Sequence, residues 1–315
     1  MKKLFALALC AALLLSASSA LAADINFVTA GTASTFYPIS VTIVDLWNQN
    51  IVGMRAVATP SGGGVDNLNQ ALDGEAQIGI ANANLVYQSQ QGLASFEGYP
   101  NENIRIFAGL YYNPNQVVVT NDSGINTVKD LIGKHISVGP AGSTTVDEAT
   151  VHLGLYDATL DDIKQENLET SDAADQMSNR LLDGVWIMAG TPNAAVTQIL
   201  TTTDSKILPI TADVVDQLKV DYPWYASYTI PAGTYDGQDE DVATSAVKLT
   251  LFLTADVDEE TAYQMTKVFW ENWEALTEAH AALRAADPKL ACQDLAGVPL
   301  HDGAARSYRE IGLID

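Results

Sequence analysis

One pattern recurs along this chain and limits what it can fold into. An apolar run leads into a loop of glycine and hydroxyl residues, and the loop opens a helical segment; the whole order appears twice. In the first block Ile25 to Val28 reads as a strand, Thr29 to Thr35 as a loop and Ile39 to Asn48 as a helix, with Pro38 suited to its first turn. A strand at Met54 to Ala58, the loop Thr59-Pro60-Ser61-Gly62-Gly63-Gly64 and a helix at Val65 to Leu72 follow, closed by Asp73-Gly74. A third strand, Ala76 to Ala81, leads through Asn82-Ala83-Asn84 into a helix at Leu85 to Gln91. The second block repeats this with a strand at Lys134 to Val138, the loop Gly139 to Thr145 and a helix at Val146 to Leu155. An extended piece near Gln165 to Leu168 precedes a helix at Ala173 to Leu182, expected to close on Asp183-Gly184. The strand Val185 to Ala189 then meets Gly190-Thr191-Pro192-Asn193, which opens a helix at Ala194 to Leu200. Leu72-Asp73-Gly74 returns as Leu182-Asp183-Gly184, 110 residues on.

Alternating strands and helices imply an α/β architecture with parallel sheets covered on both faces. Two such blocks imply two similar lobes. Ligands of open α/β sheets sit beyond the carboxyl ends of the strands, so facing lobes bring both sets of loops onto one central cleft. Tyr111 to Thr120 and about Tyr228 to Gly237 are expected to cross between the lobes as hinge segments, and a long helix is expected from Glu259 to about Leu283. The expected division is 1–22 as a signal peptide, 23–113 plus 245–315 as lobe I and 114–244 as lobe II.

The chain opens Met-Lys-Lys and is nearly all apolar from Leu4 to Leu15, ending in Ala20-Leu21-Ala22. A charged start, a short apolar core and a small-residue site make a secretory signal, with cleavage expected after Ala22 and a periplasmic destination. Cys10 lies inside the apolar core without a lipobox, so no lipid anchor is expected. Cys292 remains as the single cysteine of the mature chain, expected as a buried small apolar residue. The net charge of −23 excludes binding of nucleic acid through a basic face.

Four loops carry the candidate chemistry. Glycine lets a backbone approach a ligand, free N–H groups at a helix start favour an anion, and hydroxyls suit a polar solute. The candidate ligand-binding residues are Gly31, Thr32, Thr35, Tyr37, Ser61, Asn82, Asn84, Gly142, Ser143, Thr144, Thr145, Gly190, Pro192 and Asn193. Each hydroxyl or amide taken alone is also an ordinary helix N-cap. Tyr37 is the aromatic residue expected at the cleft, since it adjoins the first glycine loop, whereas most of the others pack core or hinge. Arg55 reads as a solvated strand residue rather than a ligand clamp.

Enzyme motifs are missing. The Gly139 to Thr145 loop lacks the Gly-Lys-Ser/Thr ending of a P-loop, no G-x-S-x-G elbow occurs, and His135, His152, His280 and His301 are too far apart to suggest a ligand pair. No catalytic residue, metal site or cofactor is expected.

Several marks in order resemble one family. They are Gly31-Thr32 to Thr35-Phe36-Tyr37-Pro38; Asn67-Leu68 with Gly74-Glu75-Ala76; Ser123-Gly124-Ile125 with Asp130-Leu131-Ile132-Gly133-Lys134; and Ser137-Val138-Gly139 with Gly142-Ser143. Ile230 to Tyr235 and His301-Asp302-Gly303-Ala304 to Tyr308-Arg309-Glu310 complete the set. The chain is similar in these to the TAXI family of extracytoplasmic receptors of tripartite ATP-independent periplasmic (TRAP) transporters. The resemblance implies a two-lobed type II periplasmic-binding-protein fold that closes on a small solute, works as a monomer and docks to membrane permease subunits, without catalysis. It implies glutamate, glutamine or a related dicarboxylate such as 2-oxoglutarate as ligand. The sequence departs from the family at Trp186-Ile187-Met188-Ala189 and at Asn82-Ala83-Asn84, both near the expected cleft. Two alternatives stay open: a ligand-sensing periplasmic module for a signalling receptor, and a secreted enzyme on the same fold.

Overall fold

The computed structural model describes residues 23–32, 36–141 and 143–315. The signal peptide and its cleavage site therefore lie outside the described residues, as do Thr35 and Gly142. In chain order the first half contains β1 (Ala23–Val28), α1 (Phe36–Asn50), β2 (Met54–Thr59), α2 (Gly64–Leu72), β3 (Ile78–Asn82), α3 (Ala83–Gln91) and β4 (Ile104–Thr120). Then come β5 (His135–Ser137), α4 (Thr144–Gly154), β6 (Lys164–Glu166), α5 (Thr170–Ser178), β7 (Gly184–Met188), α6 (Ala194–Thr202), β8 (Ser205–Leu208), α7 (Ala212–Asp221) and β9 (Tyr225–Ile230). The chain closes with β10 (Val242–Thr254), α8 (Glu259–Glu271), α9 (Trp273–Ala279) and α10 (Asp302–Glu310).

β1 pairs in parallel with β2 and β3, and β5 in parallel with β6 and β7, as two βαβ blocks require. The two sheets share β4. Its first part runs antiparallel to β10 as far as Pro114, and from Asn115 onward it pairs with β7 and β8. One 17-residue strand thus serves both lobes. It is buried over most of its length.

Each lobe has its own core. Phe27, Ile39, Trp47, Phe107, Leu251 and Phe269 pack in the first, where Trp47 Nε1 donates to the Met265 carbonyl at 3.0 Å and ties α1 to α8. Val117, Ile136, Leu153, Trp186, Leu208 and Leu218 pack in the second. Ala83 of α3 joins this second core, and Tyr87 reaches Trp224 with ring centroids 5.5 Å apart.

Three expected features differ. The segment Tyr228 to Gly237 does not cross. It ends β9 and turns, with the Ala232 N–H donating to Asp241 Oδ1 (2.8 Å) and Thr234 Oγ1 to the Pro231 carbonyl (2.6 Å), and β10 makes the return antiparallel to β9. The helix expected across Glu259 to Leu283 breaks at Asn272, whose Nδ2 donates to the Val268 carbonyl at 2.8 Å and competes with the helical ladder. The second-block helix ends at Ser178, and Arg180 (φ 59°) takes the left-handed turn expected of Gly184. Gly184 instead begins β7, where a Cβ would lie 3.0 Å from the Val118 carbonyl oxygen; it serves close strand approach, not a helix cap.

Candidate functional site

Two hollows open at the carboxyl ends of the strands. One, of about 310 Å³, is lined from the first lobe by Thr29, Phe36, Gly63, Gly64, Asn82 and Leu85, and by Thr144 of α4 opposite. The other, of about 900 Å³, is lined by Met188 to Ala194 of the second block and by Ala282, Arg284 and Ala285 from the C-terminal segment. Tyr111 and Asn113 of β4 line both, so the hollows meet at the strand shared by the two sheets. A further hollow of about 280 Å³ lies by Ala23, Asp24 and Thr254, at the amino end of β1 and away from the loop face where open α/β sheets bind ligands.

Local chemistry explains the first wall. Gly63 holds φ 101° and ψ −163° as N-cap of α2, a conformation that excludes side chains, and a Cβ on Gly64 would lie 2.8 Å from Leu85 Cδ1. Ser61 lines neither hollow. Its hydroxyl donates to Asn67 Oδ1 (2.5 Å) and accepts from the Gly63 N–H (3.1 Å). The buried Asn67 Nδ2 donates to the carbonyls of Thr29 and Ile80, both at 2.7 Å, which locks β1, β3 and the glycine loop together. On the floor, Asn113 Nδ2 donates to Asn82 Oδ1 at 3.1 Å. Burial pushes the Tyr111 hydroxyl up to about 12, so it stays neutral and able to donate at any physiological pH.

In the second wall the Thr191–Pro192 peptide is cis, and Asn193 caps α6 by accepting from the N–H groups of Ala195 (2.9 Å) and Val196 (3.3 Å). The loop is held from behind. Asn193 N–H donates to the Tyr235 hydroxyl (2.9 Å), that hydroxyl donates to Gln116 Oε1, and Gln116 Nε2 donates to the Ala189 carbonyl (2.8 Å). Burial likewise pushes the Tyr235 hydroxyl up to about 12.

Asn82, Thr144, Gly190, Pro192 and Asn193 are therefore brought to the cleft. Gly31 and Thr32 are exposed beside it, Tyr37 is half-buried in the first turn of α1, and Phe36 faces the hollow instead. Ser143 is the N-cap of α4, and Thr145 lies beside Gly139, where a Cβ would be 3.0 Å from the Thr145 Cβ. Asn84 is buried in α3, outside both hollows. Arg55 pairs on the surface with Asp24 at 2.5 Å. Sequence reasoning missed Tyr111, Asn113 and Arg284. The signal for Asn113 was present as a polar residue interrupting an apolar strand run at Tyr111 to Thr120.

Behind the cleft lies a sealed polar cluster. Asn115 Nδ2 donates to Glu148 Oε2 (2.7 Å) and Ser245 Oγ (3.0 Å), and Asn115 Oδ1 accepts from Trp186 Nε1 (2.8 Å). His152 Nδ1 faces the Glu148 carbonyl at 2.7 Å and must be the donor there, so Nε2 accepts from Ser245 Oγ at 2.8 Å. Burial pushes Glu148 up to about 7, opposed by the bond from Asn115, and lowers His152 to about 4, opposed by the Glu148 carbonyl.

Among the described residues no helix is long and apolar enough to cross a membrane. Cys292 is a half-buried free thiol, which burial pushes up to about 11.

Residues 27–312 match the NMT1-like family. Among solved structures, the chain is similar to a putative sulfonate ABC transporter periplasmic sulfonate-binding protein, SsuA, from Methylobacillus flagellatus KT, at 11% identity, with 92% of this chain and 88% of that chain covered and a TM-score of 0.54. A structure described for glutathione import via GshT and the cystine ABC importer TcyBC of Streptococcus mutans matches at 12% identity over 89% and 98%, with a TM-score of 0.50. The alkanesulfonate-binding protein SsuA from Xanthomonas axonopodis pv. citri, bound to MOPS, matches at 14% identity over 89% and 86%, with a TM-score of 0.47. At these identities the likeness is one of fold: the two-lobed α/β fold of periplasmic solute-binding proteins.

Proposed function

The chain belongs to the NMT1-like family, and from that premise we propose that it is an exported receptor that captures a small polar solute between its lobes and delivers it to membrane permease subunits. Residues 23–113 with 245–315 form lobe I and 114–244 form lobe II, and the leader at 1–22 directs the protein to the periplasm. The observation that carries this reading is the meeting of two loop-lined hollows at Tyr111 and Asn113, on the strand that both sheets share. A cleft so placed reports its occupancy to both lobes, and hinge closure about a ligand is the motion such an arrangement supports. Asn82, Thr144, Gly190, Pro192 and Asn193, with Tyr111 and Asn113, contact the solute.

The ordered marks resembling TAXI receptors favour a TRAP permease and an amino acid or dicarboxylate ligand. The sulfonate-binding and glutathione-import proteins that share the fold are described with ABC systems, so sulfonates and cystine belong in the same test. Purified protein is unfolded and refolded to strip carried ligand, then screened by thermal shift against glutamate, glutamine, 2-oxoglutarate, C4-dicarboxylates, alkanesulfonates, cystine, neutral amino acids and sugars. A solute at 100 times its dissociation constant adds about 2.7 kcal/mol. One solute class raising the melting temperature, with no product formed from it, is the expected result. Turnover of the bound solute would replace the receptor reading with the enzyme one.

A further inference from the structure

The protein carries 39 Asp and Glu against 16 Lys and Arg, so about one residue in eight is acidic. None of the described residues lining the two cleft hollows is a carboxylate, and a single one, Arg284, is a cation. A lining of that size drawn from this composition would hold a few acids by chance. The charge of the cleft is therefore opposite to that of the molecule around it.

Arg284 is also placed like a recognition residue. It belongs to the short 3-10 turn Ala281–Ala285, which is pinned by the fully buried Leu283 and by backbone bonds from Leu283 to His280 and from Ala286 to Leu283, both 3.0 Å. Its Nε donates to the Thr277 carbonyl at 3.1 Å, so the base of the guanidinium is held against α9 while the side chain borders the larger hollow. Arg55 and Arg306 have carboxylate partners. Like Arg105 and Arg180, Arg284 has no ion pair among the described residues, and of these three it alone lines a cleft hollow. The same hollow is lined by Gly190 to Asn193 and Ala194, at the amino end of α6.

We propose that Arg284 is the specificity-determining cation of the cleft, and that it selects solutes bearing an acidic group, seated between its guanidinium and the amino end of α6. This rests on the reading of the cleft as the solute site. A planar guanidinium with its two terminal nitrogens uncommitted matches a carboxylate, sulfonate or phosphonate in two parallel hydrogen bonds. The positive end of the facing helix adds to the attraction, and the carboxylate-free lining removes the repulsion that would oppose it. Arg284 belongs to the segment assigned to lobe I and the 190–193 loop to lobe II, so an acid held by both also bridges the closing lobes.

The test uses matched pairs, each an acid and its fully amidated neutral counterpart: glutarate with glutaramide, succinate with succinamide, and ethanesulfonate with ethanesulfonamide, together with 2-oxoglutarate. Dissociation constants are measured by calorimetry for wild type, Arg284→Gln and Arg284→Lys, alongside the apo melting temperature. The tightest wild-type ligand is an acid; Arg284→Gln weakens it about tenfold or more, Arg284→Lys weakens it less, and neither moves the binding of a neutral amide or the apo melting temperature. Unchanged acid affinity in Arg284→Gln, equal losses for acid and amide, or a preference for the neutral partner in wild type would each overturn the proposal and leave the receptor standing. A wild-type protein that binds nothing in the wider solute panel takes down both.

Discussion

Asn113 and Asn115 stand two residues apart on β4, on the same side of the strand by its alternation, and do opposite work. Asn113 borders the cleft, makes one side-chain bond to Asn82, and keeps its remaining polar capacity turned toward the hollow. Asn115 is fully buried; its Nδ2 donates to Glu148 and Ser245, its Oδ1 accepts from Trp186 Nε1, and its carbonyl accepts from Thr244 Oγ1 at 2.6 Å. Its partners lie on α4, β7 and β10, so one amide ties the second core to both strands that pass between the sheets. Polar groups left unmet serve a ligand; polar groups met in full hold the hinge in a single arrangement.

The largest expected effect breaks the second kind. Asn115→Ala strands the Glu148 carboxyl, Ser245 and the Trp186 N–H, at a cost of about 3 kcal/mol or more in urea unfolding. Asn113→Ala should cost under ~1 kcal/mol in the apo protein and act on solute affinity instead. Equal losses of stability in the two variants would erase the distinction.

The next effect is a pH dependence. Glu148 has no cation in its cluster; around it lie Asn115, the Tyr225 hydroxyl, Asp147 and a neutral His152. Its folded-state value of about 7 lies above the ordinary 4.5, so the native state keeps a proton that the unfolded chain releases. The contribution of Glu148 to stability therefore falls as pH rises from about 4.5 through about 7, by on the order of 3 kcal/mol. Glu148→Gln should remove that fall and be the more stable protein at pH 8. His152 acts with the opposite sign over an overlapping window, so the two contributions largely offset each other between about 4.5 and 6.5. The His152 value is depressed from 6.5 to about 4, so its contribution is complete above 6.5 and is lost as pH falls toward and below 4. The difference between the wild-type and Glu148→Gln unfolding profiles across pH 4 to 9 isolates the Glu148 contribution, and a wild-type profile matching that of Glu148→Gln would remove Glu148 from the account.

Smaller effects belong to the cleft. Thr144→Ala should weaken solute binding by roughly threefold to tenfold, the worth of one neutral hydrogen bond, and leave the apo melting temperature in place. Tyr37→Ala should change affinity less, since Phe36 and not Tyr37 borders the hollow. Smallest of all, Arg55→Gln removes an exposed pair and should leave the denaturation midpoint where it is.

The legible part of the fold was the part encoded locally. Strand, glycine loop and helix follow one another because Gly63 meets a local backbone need and because apolar periodicity marks buried faces. Gly184 shows where this reasoning stops: it reads as a helix cap, yet its need for space comes from β4, more than 60 residues away. The break at Asn272 turns on a side chain choosing its own helix carbonyl, which periodicity does not register. At the site, Asn82, Thr144 and the 190–193 loop were found from loop chemistry, whereas Asn113 was hidden in a strand and Arg284 in a segment that reached the cleft only through the C-terminal excursion. Ser61 and Asn84 had suitable chemistry, but Ser61 is engaged in holding the glycine loop and Asn84 is buried in α3.

The most direct test of the central claim, that the lobes close on a solute held at the shared strand, is small-angle scattering of the protein with and without a saturating concentration of the solute that raises its melting temperature most. A smaller radius of gyration in the bound protein, lost in Asn113→Ala at the same solute concentration, is the predicted result. An unchanged radius at demonstrated saturation would contradict closure and leave a rigid two-lobed binder in its place.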